Sequence, residues 1–241
     1  MNKTPKQCWM CDNAATTSEH VNKKTDVKKM FGSGTFKNVV KHDYDNGTKK
    51  KIQGSDSQLL KYSKNLCATC NNHRTQPYDF AYTQFEAYVR NNFDELKKSL
   101  FINTNNIFGK RAAKKQRCNL FLYFVKAFGC QLHDRGLPVP QVLREAVLGK
   151  NYGNTFRISI CLDQMKMQFI QNFPLEGDQI NGQPEDFFWA QDNGFFAVAY
   201  AYNRSIPAKF GEEWHGKTPQ FKLGMWPITR TFWPDSTLLT K

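Results

Sequence analysis

The sequence has no apolar run approaching the eighteen or so residues that a helix needs to cross a bilayer, which argues against a helical membrane protein. It has no internal repeat and no low-complexity tract, which excludes repeat architectures. Its first residues, MNKTPKQCWMC, lack the apolar stretch of a secretory leader, so the expected setting is a reducing cytoplasm. Disulfides are disfavoured there, and the seven cysteines need another explanation. Acidic residues are scarce as well: 21 Asp+Glu stand against 34 Lys+Arg, a formal net charge of +13.

What is present suffices for a sizeable core. The 241 residues are 40% hydrophobic and 14% aromatic, compatible with one large domain or two modest ones. The charge is unevenly placed. Residues 1–117 hold 22 Lys+Arg against 10 Asp+Glu, whereas residues 118–241 hold 12 against 11. A positive field confined to one half suits a polyanion such as DNA or RNA, the plainer alternative being a lysine-rich solvated face.

Punctuation along the chain sets the expected elements. FKNVVKHDYDNGTKKKIQG (36–54) has two short β-compatible runs around Asp45-Asn46-Gly47, a hairpin-turn signal. His42, Asp43 and Asp45 beside that turn read as hairpin polarity rather than as a metal cluster. The Cys67–Cys70 segment should open a helix that Pro77 kinks or interrupts, after which Phe80, Ala81, Phe85, Tyr88 and Val89 recur at helical intervals. INTNNIFGKRAAKKQR (102–117) reads as a polar, basic linker. CNLFLYFVKAFGCQLH predicts a strongly buried helix and PQVLREAVLG a second one closed by Gly149. TFRISICL, KMQFIQNF, GFFAVAYAY and QFKLGMW predict strands, with Asp192-Asn193-Gly194 at a hairpin tip. The fold class expected is α+β, antiparallel sheet with helices packed to one side, and its aromatics belong to the core.

Cys8-x2-Cys11 and Cys67-x2-Cys70 supply four thiolates in two pairs. Each pair can grip adjacent corners of a tetrahedron from one tight turn, and two pairs complete it. Such a closed site has no vacant position for water, so it points to structural zinc that pins two distant pieces of chain together. Cys118, Cys130 and Cys161 fall singly and read as buried apolar fillers.

His20 follows Cys11 by nine residues, and Asn71 directly follows Cys70. A clamp that joins the two knuckles would carry both towards one place. Cys8-Trp9-Met10-Cys11, Glu19-His20-Val21 and Cys67-Ala68-Thr69-Cys70-Asn71-Asn72 together resemble the HNH endonucleases, over residues 5–95. The run CNNHRTQPYD is similar to a subgroup of phage and bacterial members. The resemblance implies an HNH domain over residues 1–101, a ββα-metal element on a four-cysteine treble-clef finger. The basic linker 102–117 would then lead by helices to an α+β domain, 118–241, containing the antiparallel sheet. That second domain would serve for targeting, or for docking on a partner such as an ATPase subunit of a restriction or antiphage system.

By the same resemblance His20 is the general base that activates water, at a pKa suited to cellular pH. Glu19 would hold a catalytic Mg²⁺ or Mn²⁺, and Asn71 would either ligate that ion or orient His20. The substrate implied is double-stranded DNA, cut to a 5′-phosphate and a 3′-hydroxyl. Where relatives often carry a final histidine this chain has Asp79, either a second metal ligand or an acid stabilising the first turn of its helix. His73 is a weaker alternative ligand. Arg74, Lys23, Lys24, Lys28 and Lys29 are candidate phosphate contacts, which 110–117 could extend. The competing reading is a zinc-finger module that binds nucleic acid and cuts nothing.

Overall fold

Two hydrophobic periods organise the core, one helical and one alternating. The computed structural model describes residues 6–36, 38–43, 48–150, 153–163, 170–226 and 237–240. The N-terminal part runs β1 (Thr17–His20), α1 (Lys24–Phe31), β2 (Val40–Asp43), β3 (Thr48–Lys51) and β4 (Lys61–Leu66). A π-helical turn at Cys70–Arg74 follows, broken at Thr75, and α2 (Gln76–Asn91) begins with Pro77 in its first turn, where a missing N–H costs nothing. Next come α3 (Phe93–Ser99), β5 (Phe101–Asn103), α4 (Thr104–Phe108), α5 (Ala113–Asp134) and α6 (Gln141–Val147). The remainder is strands: β6 (Phe156–Asp163), β7 (Ile170–Asn172), β8 (Glu176–Ile180), β9 (Gln183–Asp192), β10 (Phe196–Tyr202), β11 (Gln220–Lys222), β12 (Gly224–Trp226) and β13 (Thr237–Thr240).

The α+β class holds. A nine-stranded sheet runs β12-β6-β10-β9-β7-β13-β2-β3, with β8 added on β9, and every pairing but β12–β6 is antiparallel. Both anticipated hairpins form: β2 pairs with β3, and β9 with β10. The turn at Asp45-Asn46-Gly47 and the side chains of His42 and Asp43 lie outside the described residues. So does the start of the KMQFIQNF run, which enters the sheet at Ile170.

Strand β10 shows the alternating period most clearly. Phe196, Val198, Tyr200 and Tyr202 face the helices, while Ala197, Ala199 and Ala201 face a second cluster with Phe188, Ile206 and Phe210. On the helical side Tyr200 stacks on Trp189 with centroids 4.7 Å apart, and Phe128 of α5 lies over the same ring. In α2 the stripe Tyr78, Ala81, Tyr82, Phe85 and Val89 is buried. Phe80, expected in that stripe, is 57% exposed, because two residues from Tyr78 along a helix is the opposite side. Cys130 and Cys161 are buried fillers as expected, and Cys118 is partly buried.

The linker expected over 102–117 is instead structured: it contains the end of β5, all of α4 and the start of α5. Its polarity concealed three anchors, Ile102, Phe108 and Ala113, all buried. Strand β5 pairs with β11, near the other end of the chain. One hydrophobic cluster spans Cys8 to Leu223, and β13 joins β2 to the main sheet, so the two halves share a core and a sheet. Among the described residues no helix is long and apolar enough to cross a membrane.

The cysteine knuckle meets α5 where α5 has no side chain. Trp9 packs on Gly129, where an added Cβ would lie 2.6 Å from the indole, and its Nε1 donates to Cys130 Sγ at 3.4 Å. Gly129→Ala should therefore cost about 1–3 kcal/mol, the usual range for overpacking, despite the better helix propensity of alanine. Chemical denaturation measures it; a stability equal to or above that of the parent would contradict this packing.

Candidate metal centre and the charged cluster beside it

The first knuckle closes through backbone bonds from Cys11 N and Asp12 N to Cys8 O, with Asp12 at a left-handed φ of 63°. The second sits where β4 gives way to the helical turn, with Cys70 N donating to Cys67 Sγ at 3.4 Å. Together the Sγ atoms of Cys8, Cys11, Cys67 and Cys70 lie within 4.8 Å of one another. Cys11 Sγ is 3.6 Å from Cys67 Sγ and 3.5 Å from Cys70 Sγ. A tetrahedron with Zn–S bonds of about 2.3 Å has edges of roughly 3.8 Å, so the four thiols are spaced to hold a metal ion such as zinc. Arg74 Nη1 donates to Cys70 Sγ at 3.3 Å, a positive charge beside a set of thiolates. Its predicted phosphate contact thus has a competitor in the cysteine itself.

Strand β1 pairs with β4, but the ladder slips on both sides of Ser18, so strict alternation does not set the directions of its side chains. Glu19 points to α5, where Lys126 Nζ lies 3.4 Å from its Oε2. Lys126 is only 1% exposed and donates to both carboxylate oxygens of Asp79, each at 3.1 Å. Lys23 joins from the other side, donating to the Asp79 carbonyl at 2.6 Å and lying over the Tyr82 and Tyr123 rings. Two carboxylates and two ammoniums thus form one cluster. Burial pushes the Glu19 carboxyl above the usual range against the pull of Lys126. Burial acts to discharge the Lys126 ammonium, but Glu19 and then Asp79 outweigh it and raise its pKa above the ordinary lysine range. Asp79 also stands in the first turn of α2, the place its reading as a helix-stabilising acid gave it, and its carboxylate is paired with Lys126 and Lys23.

His20 and Asn71 are hydrogen-bonded to different places. The His20 Nε2 lies 3.1 Å from the Ser55 carbonyl. A carbonyl only accepts, so Nε2 carries the proton and Nδ1 of the neutral ring keeps its lone pair. Burial lowers the His20 pKa, with Lys61 and Lys24 adding to it and Asp56 opposing. Asn71 Nδ2 donates to Thr17 Oγ1 at 3.3 Å, at the far end of β1. His73 is exposed on the π-helical turn.

The basic residues divide. Lys29 pairs with Glu86, and Lys24 with Asp56. Lys23 is held by Asp79. Lys28 is exposed and has no ion pair among the described residues. The chain just past His20 is tied to the large sheet: Gln191 Nε2 donates to Val21 O at 2.6 Å, and Asn22 exchanges side-chain bonds with Asn172 and Asn193. The C-terminal half therefore holds the Glu19-His20 segment in place, and Lys126 supplies a charge to it. Lys126 was legible in principle, as the one cation inside an otherwise apolar helix run, since a buried lysine requires a carboxylate.

Compared with protein-family models, with curated proteins and with solved structures, the chain matches none.

Lys126→Met leaves Glu19 and Asp79 facing each other without their buried cation. It should cost about 3 kcal/mol, and adding Asp79→Asn should recover part of the loss. Denaturant titration of the single and double variants checks this; a Lys126→Met protein within 1 kcal/mol of the parent would contradict the pairing.

Proposed function

We propose that the chain is a metal-dependent endonuclease of the HNH type, acting on double-stranded DNA and built around a structural zinc ion on Cys8, Cys11, Cys67 and Cys70. One observation carries this reading. The carboxylates of Glu19, near the end of β1, and Asp79, in the first turn of α2, reach a single cationic point, and His20 is the next residue along. The elements that bring them there are joined by the cysteine cluster.

Two carboxylates that already share one cation are hard donors of the kind a divalent ion takes, and the Asn71 amide, bonded to Thr17 at the far end of β1, would have to reach it from there. Glu19, Asp79 and Asn71 would hold Mg²⁺ or Mn²⁺, which would supply positive charge for the phosphate oxygens and the departing 3′ oxygen. His20 takes the proton of the attacking water at Nδ1, its ring fixed through Nε2–H on the Ser55 carbonyl. The products are a 5′-phosphate and a 3′-hydroxyl.

The same cluster favours a second reading. Lys126 and Lys23 already neutralise Glu19 and Asp79, so a divalent ion gains less there than at bare carboxylates. A zinc-finger module that binds DNA without cutting needs no such ion.

Nicking of supercoiled plasmid under a Mg²⁺ and Mn²⁺ titration separates the two. The parent should nick, and His20→Ala should cut about 10²-fold or more slowly while keeping its fold. Equal nicking by both removes His20 from the chemistry; tight binding with no nicking at any metal concentration favours the module.

A further inference from the structure

Strand β3 is the edge of the large sheet and carries Lys49, Lys50 and Lys51, all exposed. Among the described residues none of the three has a carboxylate partner, unlike Lys23, Lys24 and Lys29. Beside this edge lies an open cleft of about 720 Å³ lined by Thr35, Phe36, Lys51, Gln53, Asp56 and Ser57, among others. Its lining includes Gly54 and Asp56, the two neighbours of Ser55, whose carbonyl receives the His20 ring. The segment is braced from both sides: Phe36 N donates to Gln53 O, and Ser57 N to Gly54 O.

Unpaired lysines on a sheet edge have a protective use, because they discourage strand-to-strand association. That use asks for charge on the edge but not for a cleft behind it, nor for polar side chains along the cleft wall. Lys49 and Lys51 share one face of β3, the face Lys51 presents to the cleft, and stand roughly 6.7 Å apart along the strand. Along the axis of a DNA duplex each strand presents one phosphate per about 3.4 Å, so two such steps rise by nearly the same amount. Gln53, Ser57 and Thr35 offer hydrogen bonds to phosphate and sugar without reading bases.

We infer that this cleft seats the sugar–phosphate backbone of a DNA duplex, with Lys49 and Lys51 on its rim, and leads that backbone towards His20. The inference builds on the nuclease reading above by assigning the DNA path to the β2–β3 edge. Of the four lysines singled out in sequence, Lys23, Lys24 and Lys29 are paired with carboxylates of the protein, and Lys28 is exposed with no ion pair among the described residues.

Fluorescence anisotropy with a labelled 20-base-pair duplex tests it, over a NaCl series without divalent ions. The variants are Lys49→Ala/Lys51→Ala and, as a charge-matched control, Lys97→Ala/Lys98→Ala on exposed positions of α3. The cleft pair should weaken binding about tenfold and lower the slope of log K against log salt by about 1.8, two phosphate contacts' worth; the control should change neither. Equal losses in both pairs would reduce the effect to net charge and overturn the assignment, as would an unchanged cleft variant or a parent that does not bind. Binding is read without cleavage, so the two proposals fail separately. Loss of binding in the cleft pair, together with undiminished nicking by His20→Ala, upholds the cleft and removes the catalytic reading.

Discussion

Four thiols brought within one tetrahedron's reach are the constraint on which the N-terminal half depends. The segment between the knuckles is charged and contains short strands and the eight-residue α1, and its hydrophobic cluster is small: Val27, Met30, Phe36, Val39, Ile52 and Leu60, joined by Ile170 of β7. A metal ion on the cysteines would close a loop of about sixty residues, and structural zinc contributes on the order of 10 kcal/mol or more in small peptides. The thiol cluster also joins two directions: one knuckle leads into β1 and towards Glu19-His20, while the other ends β4 and turns into α2 with Asp79. Trp9, between the first two cysteines, then presses the assembly onto α5 at Gly129.

The second constraint is electrostatic. Lys126 reaches from the middle of α5 to Glu19 and Asp79, so a residue of the C-terminal half supplies the central charge of an N-terminal cluster. Burying an ammonium is costly, and two carboxylates offset that cost only when the geometry is good. The bonds from Gln191 to Val21, and among Asn22, Asn172 and Asn193, tie the same segment to the sheet. The C-terminal half, set apart by composition, is thus the scaffold of the candidate site.

Much of this was legible where the physics is local. The cysteine pairs, the buried α5, the Pro77 break and the β9–β10 hairpin all follow from spacing, propensity and turn chemistry. What was not legible is long-range. The polar stretch 102–117 hides three buried anchors, Ile102, Phe108 and Ala113, too few to outweigh its lysines in a composition reading. That β13 lies between β2 and β7 is a pairing across most of the chain, which alternation within a strand cannot specify. The roles of lysines were hardest, since Lys23, Lys28 and Lys29 look alike in sequence and differ only in what folds against them. Phe80 was misplaced by adjacency to Ala81, one residue being about 100° around the helix.

Metal content with X-ray absorption at the zinc edge tests the central claim most directly. The account predicts one zinc per chain in a shell of four sulfurs at about 2.3 Å, and no nitrogen or oxygen ligand. Protein purified without zinc yet fully folded, or a shell mixing sulfur with lighter ligands, would contradict it.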